Sequence, residues 1–239
     1  MHGNPILYLG LAIAAGVGFL AQQQGFASVP GFIPVLSILF IAWPSFRSVI
    51  RIFGVSRGAG ILVLLGAFAL FIEVIGVMTG YPYGTFRYIG DLGWRIFGLV
   101  PWTVPFAWVP LLLGAVSLYP IEPRALIRGS LRAAGLLTLM DFVLDPGAVS
   151  VGLWRYANPG PYYEVPWTNF AGWLLVGTLA SILLARFMQG REAPPEMGMS
   201  SAWMMAFWSA VALGRGLWIP SMIGLGLILF ISYRHVRRS

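Results

Sequence analysis

Apolar runs, each roughly twenty residues long, alternate with short polar segments along this chain of 239 residues. An α-helix of that length crosses the hydrocarbon core of a bilayer, which is about 30 Å thick. The pattern predicts eight helices, or seven if the short seventh does not cross: 5–22, 29–46, 59–79, 101–119, 125–144, 167–187, 200–214 and 217–233. The predicted fold class is all-α, a polytopic integral membrane helix bundle in a single domain (1–239) whose motif-bearing core is about 59–188.

The composition agrees with a membrane protein, because 58% of the residues are hydrophobic and 10% are charged, against about 25% charged in soluble proteins. The absence of cysteine excludes disulfides and cysteine-based metal centres, and the absence of lysine excludes Schiff-base chemistry. The two histidines, His2 and His235, lie at opposite ends of the chain, and no nucleotide-binding loop or DDxxD motif occurs. We therefore expect no metal and no other cofactor.

The basic charge of the chain is explained by membrane topology. The isoelectric point is about 10.2, but the arginines are scattered at the ends of apolar runs, so membrane lipid and not nucleic acid is the expected partner. With the amino terminus in the cytoplasm, the cytoplasmic segments hold Arg47, Arg51, Arg57, Arg124, Arg128, Arg132, Arg186, Arg191, Arg234, Arg237 and Arg238, and the opposite side holds Arg87, Arg95, Arg155 and Arg215. This bias predicts a multi-pass protein of the cell membrane with both termini in the cytoplasm.

The acidic residues divide unevenly across this topology. Three of them lie in cytoplasmic loops beside arginines, as ordinary solvated charges do: Glu122, Glu192 and Glu196. The other five all fall in the non-cytoplasmic half: Glu73, Asp91, Asp141, Asp145 and Glu164. Ionisable side chains inside a membrane are costly and usually face the interior of a bundle.

Three of these acids are predicted to lie at one depth. With a rise of about 1.5 Å per residue, Glu73 lies roughly 22 Å and Asp141 roughly 24 Å along their helices from the cytoplasmic side. Asp145 lies one turn further out on the same face as Asp141, and Pro146 is expected to help end the helix. The three carboxyls therefore predict one polar pocket nearer the non-cytoplasmic face.

Two simpler interpretations of these acids stay open. Asp145, directly before Pro146, is also what a helix end at the membrane interface would show. Glu73 is also explained by a structural ion pair with Arg87 or Arg155. For Asp141 no arginine lies nearby in sequence, so this aspartate is the strongest candidate for a chemical role.

The loops above the acids, 79–94 and 152–170, carry an aromatic residue at nearly every second position, with glycine and proline at the turns. This density favours an ordered lid over the pocket. The candidate substrate-binding residues are Tyr81, Tyr83, Phe86, Tyr88, Trp108, Trp154, Tyr156, Tyr162, Tyr163 and Asn169. Arg87, Arg155 and Glu164 are assigned structural or electrostatic roles.

Four blocks of this sequence resemble a known family. They are EVIGVMTGYPYGTFRY (73–88), VPFAW (104–108), MDFVLDPGAVSVGLWRY (140–156) and YYEVPWTNFAGWLLVG (162–177). The blocks are similar to the carotenoid 1′,2′-hydratases, which include the bisanhydrobacterioruberin hydratases, within the broader group of carotenoid biosynthesis proteins. The similarity covers the third to the sixth helix, about half of the chain.

The resemblance implies that water is added to the terminal 1,2 double bond of an acyclic carotenoid. Such a hydration needs a proton for an unactivated alkene and then water for the tertiary cation, and a buried carboxyl beside a second one suits the first task. The favoured assignment has Asp141 as the acid, Asp145 as its partner and Glu73 as the base that holds water, although the roles can be permuted. Aromatic faces would stabilise the cation.

Three alternatives stay open at this stage. The first is a different reaction on the same substrate class, of the cyclase or desaturase type; cyclisation also begins with protonation of the terminal double bond and differs only in excluding water. A pigment-binding protein without catalysis would tolerate loss of the acids, and a proton-coupled transporter would place carboxyls toward both faces. Association with other enzymes of carotenoid synthesis is also an expectation.

Overall fold

Eight α-helices and four short strands form the part of the chain that the computed structural model describes, residues 4–24 and 32–237. The helices are α1 (Pro5–Gln24), α2 (Phe32–Phe53), α3 (Val55–Thr79), α4 (Val104–Leu118), α5 (Leu126–Ser150), α6 (Trp167–Met188), α7 (Met199–Gly214) and α8 (Trp218–Val236). The strands are β1 (Phe86–Tyr88), β2 (Arg95–Ile96), β3 (Val100–Pro101) and β4 (Trp154–Tyr156).

The prediction of an all-α polytopic membrane bundle is confirmed. Within the described ranges, six helices are long and apolar enough to cross a membrane, namely α1, α2, α3, α5, α6 and α8. The other two are shorter, with 15 residues in α4 and 16 in α7. The side of the membrane on which each terminus lies stays a prediction.

Helix α7 forms the centre of the bundle, where it contacts α1, α2, α4, α5 and α8. Small residues on its neighbours allow this close approach. A Cβ atom on Gly10 or Gly18 of α1 would lie within 2.3 Å of atoms of Trp203 or Phe207. The short α7 is thus buried along nearly its whole length by the longer helices around it.

Helices α5 and α6 pack closely along their length. Both aspartates of the site lie on α5. Gly177 of α6 faces α5 so tightly that an added Cβ would lie 3.0 Å from Leu137. At the end of the bundle where α3 and α5 finish and α6 begins, β1 pairs with β4 in an antiparallel ribbon. The ribbon closes this end over the three helices.

The predicted end of the fifth helix is wrong. Helix α5 continues through Pro146 to Ser150, so Asp145 is an interior residue of the helix. Proline has no N–H group and leaves the carbonyl four residues earlier, that of Phe142, without its helical partner. The Tyr162 hydroxyl donates to that carbonyl oxygen at 3.2 Å, which shows why the helix tolerates proline here.

We expect Tyr162→Phe to lower the stability of the protein by about 1 kcal/mol, the usual net contribution of one hydrogen bond. The loss should be much smaller when Pro146→Ala is also present, because the alanine N–H can bond to the Phe142 carbonyl. Thermal unfolding in detergent of the two single variants and the double variant measures this coupling. An equal effect of Tyr162→Phe in both backgrounds would contradict the explanation.

Other boundaries differ from the predicted ones for local reasons. Helix α2 extends to Phe53 instead of residue 46 and includes Pro44. Helix α4 begins at Val104 instead of residue 101, because Val100–Pro101 pairs with β2 as a strand. The predicted start of the second helix at 29–31, like His2 and Arg238, lies outside the described residues.

Candidate active site

Two aspartates and one asparagine meet between α5 and α6. Asp141 and Asp145 lie one helical turn apart on α5 and are 0% and 3% exposed. The Asn169 side-chain Nδ2 donates to the Oδ2 atom of Asp141 at 2.7 Å and to the Oδ2 atom of Asp145 at 2.6 Å. One amide therefore holds both carboxyls together.

The two aspartates differ in their other partners. Asp145 Oδ2 also accepts a hydrogen bond of 2.6 Å from the Tyr156 hydroxyl. The Oδ1 atom of Asp141 is buried and has no hydrogen-bond partner among the described residues. Because an unpaired buried carboxylate oxygen is costly, Asp141 is the less well solvated member of the pair.

Glu73, near the end of α3, is the third carboxyl of the site and is half-buried. Its Oε1 atom accepts a hydrogen bond of 2.5 Å from the Tyr88 hydroxyl on β1. The ion pair with Arg87 or Arg155 considered above is not formed: in the described residues the one salt bridge joins Arg51 to Glu196, at 3.9 Å. Glu73 is thus supported by a phenol and not by a cation.

The ribbon of β1 and β4 explains this arrangement, because side chains alternate between its two faces. Arg87 and Arg155 stand opposite each other in the register and are exposed. Their neighbours Phe86, Tyr88 and Tyr156 point inward and are buried. The arginines therefore lie on the outer face of the ribbon, whereas the aromatic residues lie on the inner face and cover the acids.

Burial raises the pKa of the Tyr88 and Tyr156 phenols well above the ordinary value, and the carboxyls beside them raise it further. Both hydroxyls therefore stay protonated and act as donors. Each of the two carboxyls, Glu73 and Asp145, keeps a fixed tyrosine donor as a result.

Glycines of the 73–88 block position the Tyr83 ring. A Cβ on Gly76 of α3 would lie 2.9 Å from one edge of this ring, and a Cβ on Gly172 of α6 would lie 2.7 Å from the other. Gly80, at φ 77°, ends α3 in the left-handed conformation that glycine favours. The block thus turns the chain at the end of α3 and inserts Tyr83 between two helices.

We expect Gly76→Ala to lower the stability by about 1–3 kcal/mol, because the added methyl overlaps a ring that cannot retreat. The matched control is Gly60→Ala on the same helix, where a Cβ would meet nothing within 4 Å. That variant should be neutral or more stable by up to about 1 kcal/mol, as alanine is the better helix former. Thermal unfolding in detergent compares the two, and equal effects would contradict the clamped-ring interpretation.

A cavity of about 90 Å³ lies between the acids and the ribbon. Of the residues predicted from sequence, those that line it are Glu73, Tyr83, Phe86, Tyr88, Trp108, Asp145, Trp154, Tyr156 and Asn169. Asp141 lies behind this wall, bonded to Asn169. The structure therefore brings nine of the thirteen predicted catalytic and substrate-binding residues to one small cavity with aromatic walls.

Three tyrosines that were predicted to bind substrate lie away from this cavity. Tyr81 is 67% exposed. Tyr162 supports the Phe142 carbonyl, and Tyr163 packs edge-on against Tyr162 with the ring centroids 5.0 Å apart. Glu164 is exposed at φ 68°, in the turn that leads into α6.

Several residues of the cavity were missed by sequence reasoning. Trp173 lines it and lies 6.3 Å from Trp108, ring centroid to centroid. Its position one turn after Asn169 on α6 was a usable signal, since residues four apart share a helix face. Thr103 and Ile38 also line the cavity, and no motif pointed to them.

Comparisons with known proteins agree with the resemblance seen in the sequence. The family described as "Carotenoid biosynthesis protein" matches residues 31–231. The bisanhydrobacterioruberin hydratase of Haloarcula japonica is 37% identical over 189 residues, which cover 73% of this chain and 64% of that relative. The matched region is thus less than two thirds of the relative's length. No solved structure matches the chain.

Proposed function

This chain belongs to the family of carotenoid biosynthesis proteins, and on that premise we propose that it is a hydratase of acyclic carotenoids. The reaction adds water across the terminal 1,2 double bond and leaves a tertiary hydroxyl at C1. The observation that carries the proposal is the small cavity, which is lined by two carboxyls, those of Glu73 and Asp145, and by several aromatic rings. The name of the relative from Haloarcula japonica supports the same reaction.

The chemistry needs two groups with opposite tasks. An acid gives a proton to C2 of the alkene, whose π electrons form the new C–H bond and leave a tertiary cation at C1. Water then forms the C–O bond at C1 and loses one proton to a base. The proton given and the proton taken balance, so the net change is the addition of one water molecule.

Asp145 is the proposed proton donor to the alkene, with Asp141, the less well solvated of the two, as the partner that holds their shared proton between turnovers. Two carboxyls bound to one amide and shielded from water are unfavourable when both are charged, so the pair holds a proton. Asp145 is the member that lines the cavity. The two aspartates thus exchange the roles favoured from sequence, in which Asp141 was the acid and Asp145 its partner.

Glu73 is the proposed base. It lines the same cavity as Asp145, and the Tyr88 hydroxyl bonded to its Oε1 atom stabilises a carboxylate there. It can hold the attacking water and accept its proton. Water in the cavity then returns this proton to the aspartate pair, which restores the starting state.

Aromatic walls suit the cation that lies between these steps. Tyr83, Phe86, Trp108, Trp154 and Trp173 line the cavity. The negative faces of such rings stabilise a cation without forming a bond to it. The reaction can therefore pass through the tertiary cation without trapping it on the protein.

The site is proposed to lie nearer the non-cytoplasmic face of the membrane. The described helices are long and apolar enough for a multi-pass protein, and the positive-inside bias of the arginines supports this orientation. The substrate is apolar and dissolves in the bilayer, so it reaches the site from the lipid.

The direct test is expression in a host that accumulates lycopene, followed by mass spectrometry of the pigments. Hydration adds the mass of one water molecule for each modified end, whereas cyclisation leaves the mass unchanged. Pigments with unchanged mass and unchanged structure in a host that contains the folded protein would overturn the proposal.

A further inference from the structure

An apolar cavity of about 330 Å³ lies beside the carboxyl-lined one, between α1, α2 and α7. The two cavities share wall residues, among them Ile38, Leu92, Leu144 and Trp154. The volume is within the range of small-molecule sites, about 300–1,000 Å³. Because the walls are common, the two cavities are adjacent, and a long ligand that passes between these side chains reaches both.

The walls of the apolar cavity select against charge. All of the described residues that line it are uncharged, and the polar side chains among them are Ser37, Trp154 and Trp208. The Trp208 Nε1 atom is buried without a hydrogen-bond partner in the described part of the chain. Because no charged group lies among them, such walls suit a neutral, apolar chain better than a charged headgroup.

A further cavity of about 230 Å³ continues the same path towards the lipid. It shares Val17, Ser37 and Ile41 with the apolar cavity, and its rim includes Leu36 and Phe40, which are 58% and 51% exposed. Within the described residues α1 packs mainly on α7, and α2 packs on α3, α4 and α7, with little contact between α1 and α2. The path therefore opens sideways between these two helices.

We propose that this path is the binding site for the unreacted polyene of the substrate, which enters sideways from the bilayer between α1 and α2. Its leading end passes Ile38 and Trp154 into the small cavity, where it meets Asp145 and Glu73. The inference rests on the proposed function and deepens it: the substrate class is a long, linear polyene without polar groups along its length and with one free acyclic end. A cavity of about 90 Å³ leaves room for that end alone.

Two substitutions on facing walls test the path, Ala21→Phe on α1 and Ser37→Phe on α2. Both residues line the apolar cavity, so a phenyl group there fills the space of the polyene. The matched control is Gly16→Phe on α1, where an added Cβ meets nothing within 4 Å. Each variant is purified in detergent from a lycopene-accumulating host, and pigment absorbance is measured relative to protein.

We expect Ala21→Phe and Ser37→Phe each to lower the retained pigment by about tenfold, the effect of overfilling a packed apolar site, with no change for Gly16→Phe. Size-exclusion profiles establish that the variants compared are folded, and if only one of the two cavity variants folds, that variant decides the outcome. Wild-type retention by both cavity variants overturns the inference, as does recovery of phospholipid alone from the wild-type protein.

This experiment distinguishes a failure of the polyene-site inference from a failure of the hydratase proposal. Loss of pigment in the cavity variants, with no water added to pigment by the wild-type protein, supports the polyene site and overturns the hydratase proposal. Water added by the wild type and by both cavity variants at equal rates supports the hydratase and overturns the polyene site.

Discussion

Asp145→Asn is expected to lower hydration by about 10²–10⁴-fold, the range that general acid catalysis usually contributes. An amide has nearly the shape of the carboxyl group but cannot deliver a proton to an alkene. Asp145 lines the cavity, so the loss falls on the chemical step. Pigment mass spectrometry from a lycopene-accumulating host measures the product, and pigment retained by the purified variant shows that the fold and the substrate site persist.

Asp91→Asn is the matched control, because Asp91 is an exposed aspartate of the loops near the site whose Oδ1 atom accepts the Gly93 N–H. This variant should keep full activity. We expect Asp141→Asn to be nearly as damaging as Asp145→Asn, since the pair shares its proton. Full activity of Asp145→Asn would end the assignment of this residue as the acid, and full activity of Asp145→Asn with none in Asp141→Asn would restore the order favoured from sequence.

Asn169→Leu is expected to produce the second largest loss, in both activity and stability. Leucine has a similar volume, but it removes the donor that both aspartates accept, at 2.7 and 2.6 Å. Because the pair holds one proton, one of the two hydrogen bonds is to a charged group and contributes about 1.5–3 kcal/mol, and the other, to a neutral group, contributes about 0.5–1.5 kcal/mol, so the stability should fall by about 2–4.5 kcal/mol. Thermal unfolding and the rate of product formation are measured on the same preparations.

A positioning role for Asn169 is separated from a purely structural one by the pH dependence of kcat. A variant that only unfolds more readily lowers the amount of active enzyme and leaves the profile in place. Loss of the amide between the reacting carboxyls shifts the profile. Thr168→Val is the neighbouring control, because the Thr168 hydroxyl is exposed and makes only a 3.4 Å contact with the Tyr83 carbonyl.

Helix α5 continues through Pro146, which the local sequence did not predict. The rule that proline ends a helix predicted that α5 stops near residue 144, and it left open that Asp145 is only a helix end at the membrane interface. The Tyr162 hydroxyl, sixteen positions further along the chain than Pro146, donates a hydrogen bond to the Phe142 carbonyl that proline leaves free. Only the packing of the loop against α5 supplies that donor, so Asp145 is buried within the helix.

The partner of Glu73 could not be predicted from the local sequence either. Arg87 and Arg155 are close to the site in sequence, and opposite charge made them reasonable partners. The pairing of β1 with β4 turns both arginines outward and brings Tyr88 to the carboxyl instead. A shift of one residue in a strand exchanges its faces, and this register depends on two segments that are far apart in the chain.

The sequence alone predicts the class of the molecule, the approximate positions of its eight helices, three carboxyls at a common level, and most of the aromatic residues around them. These properties follow from the length and the composition of local segments, because the thickness of the bilayer sets how long an apolar helix must be. The three-dimensional packing is needed to see which aspartate lines the cavity, that one amide holds both aspartates, that a tyrosine supports Glu73, and that an apolar path leads to the cavity between α1 and α2. Those properties depend on which faces of distant helices meet, and no local pattern contains that information.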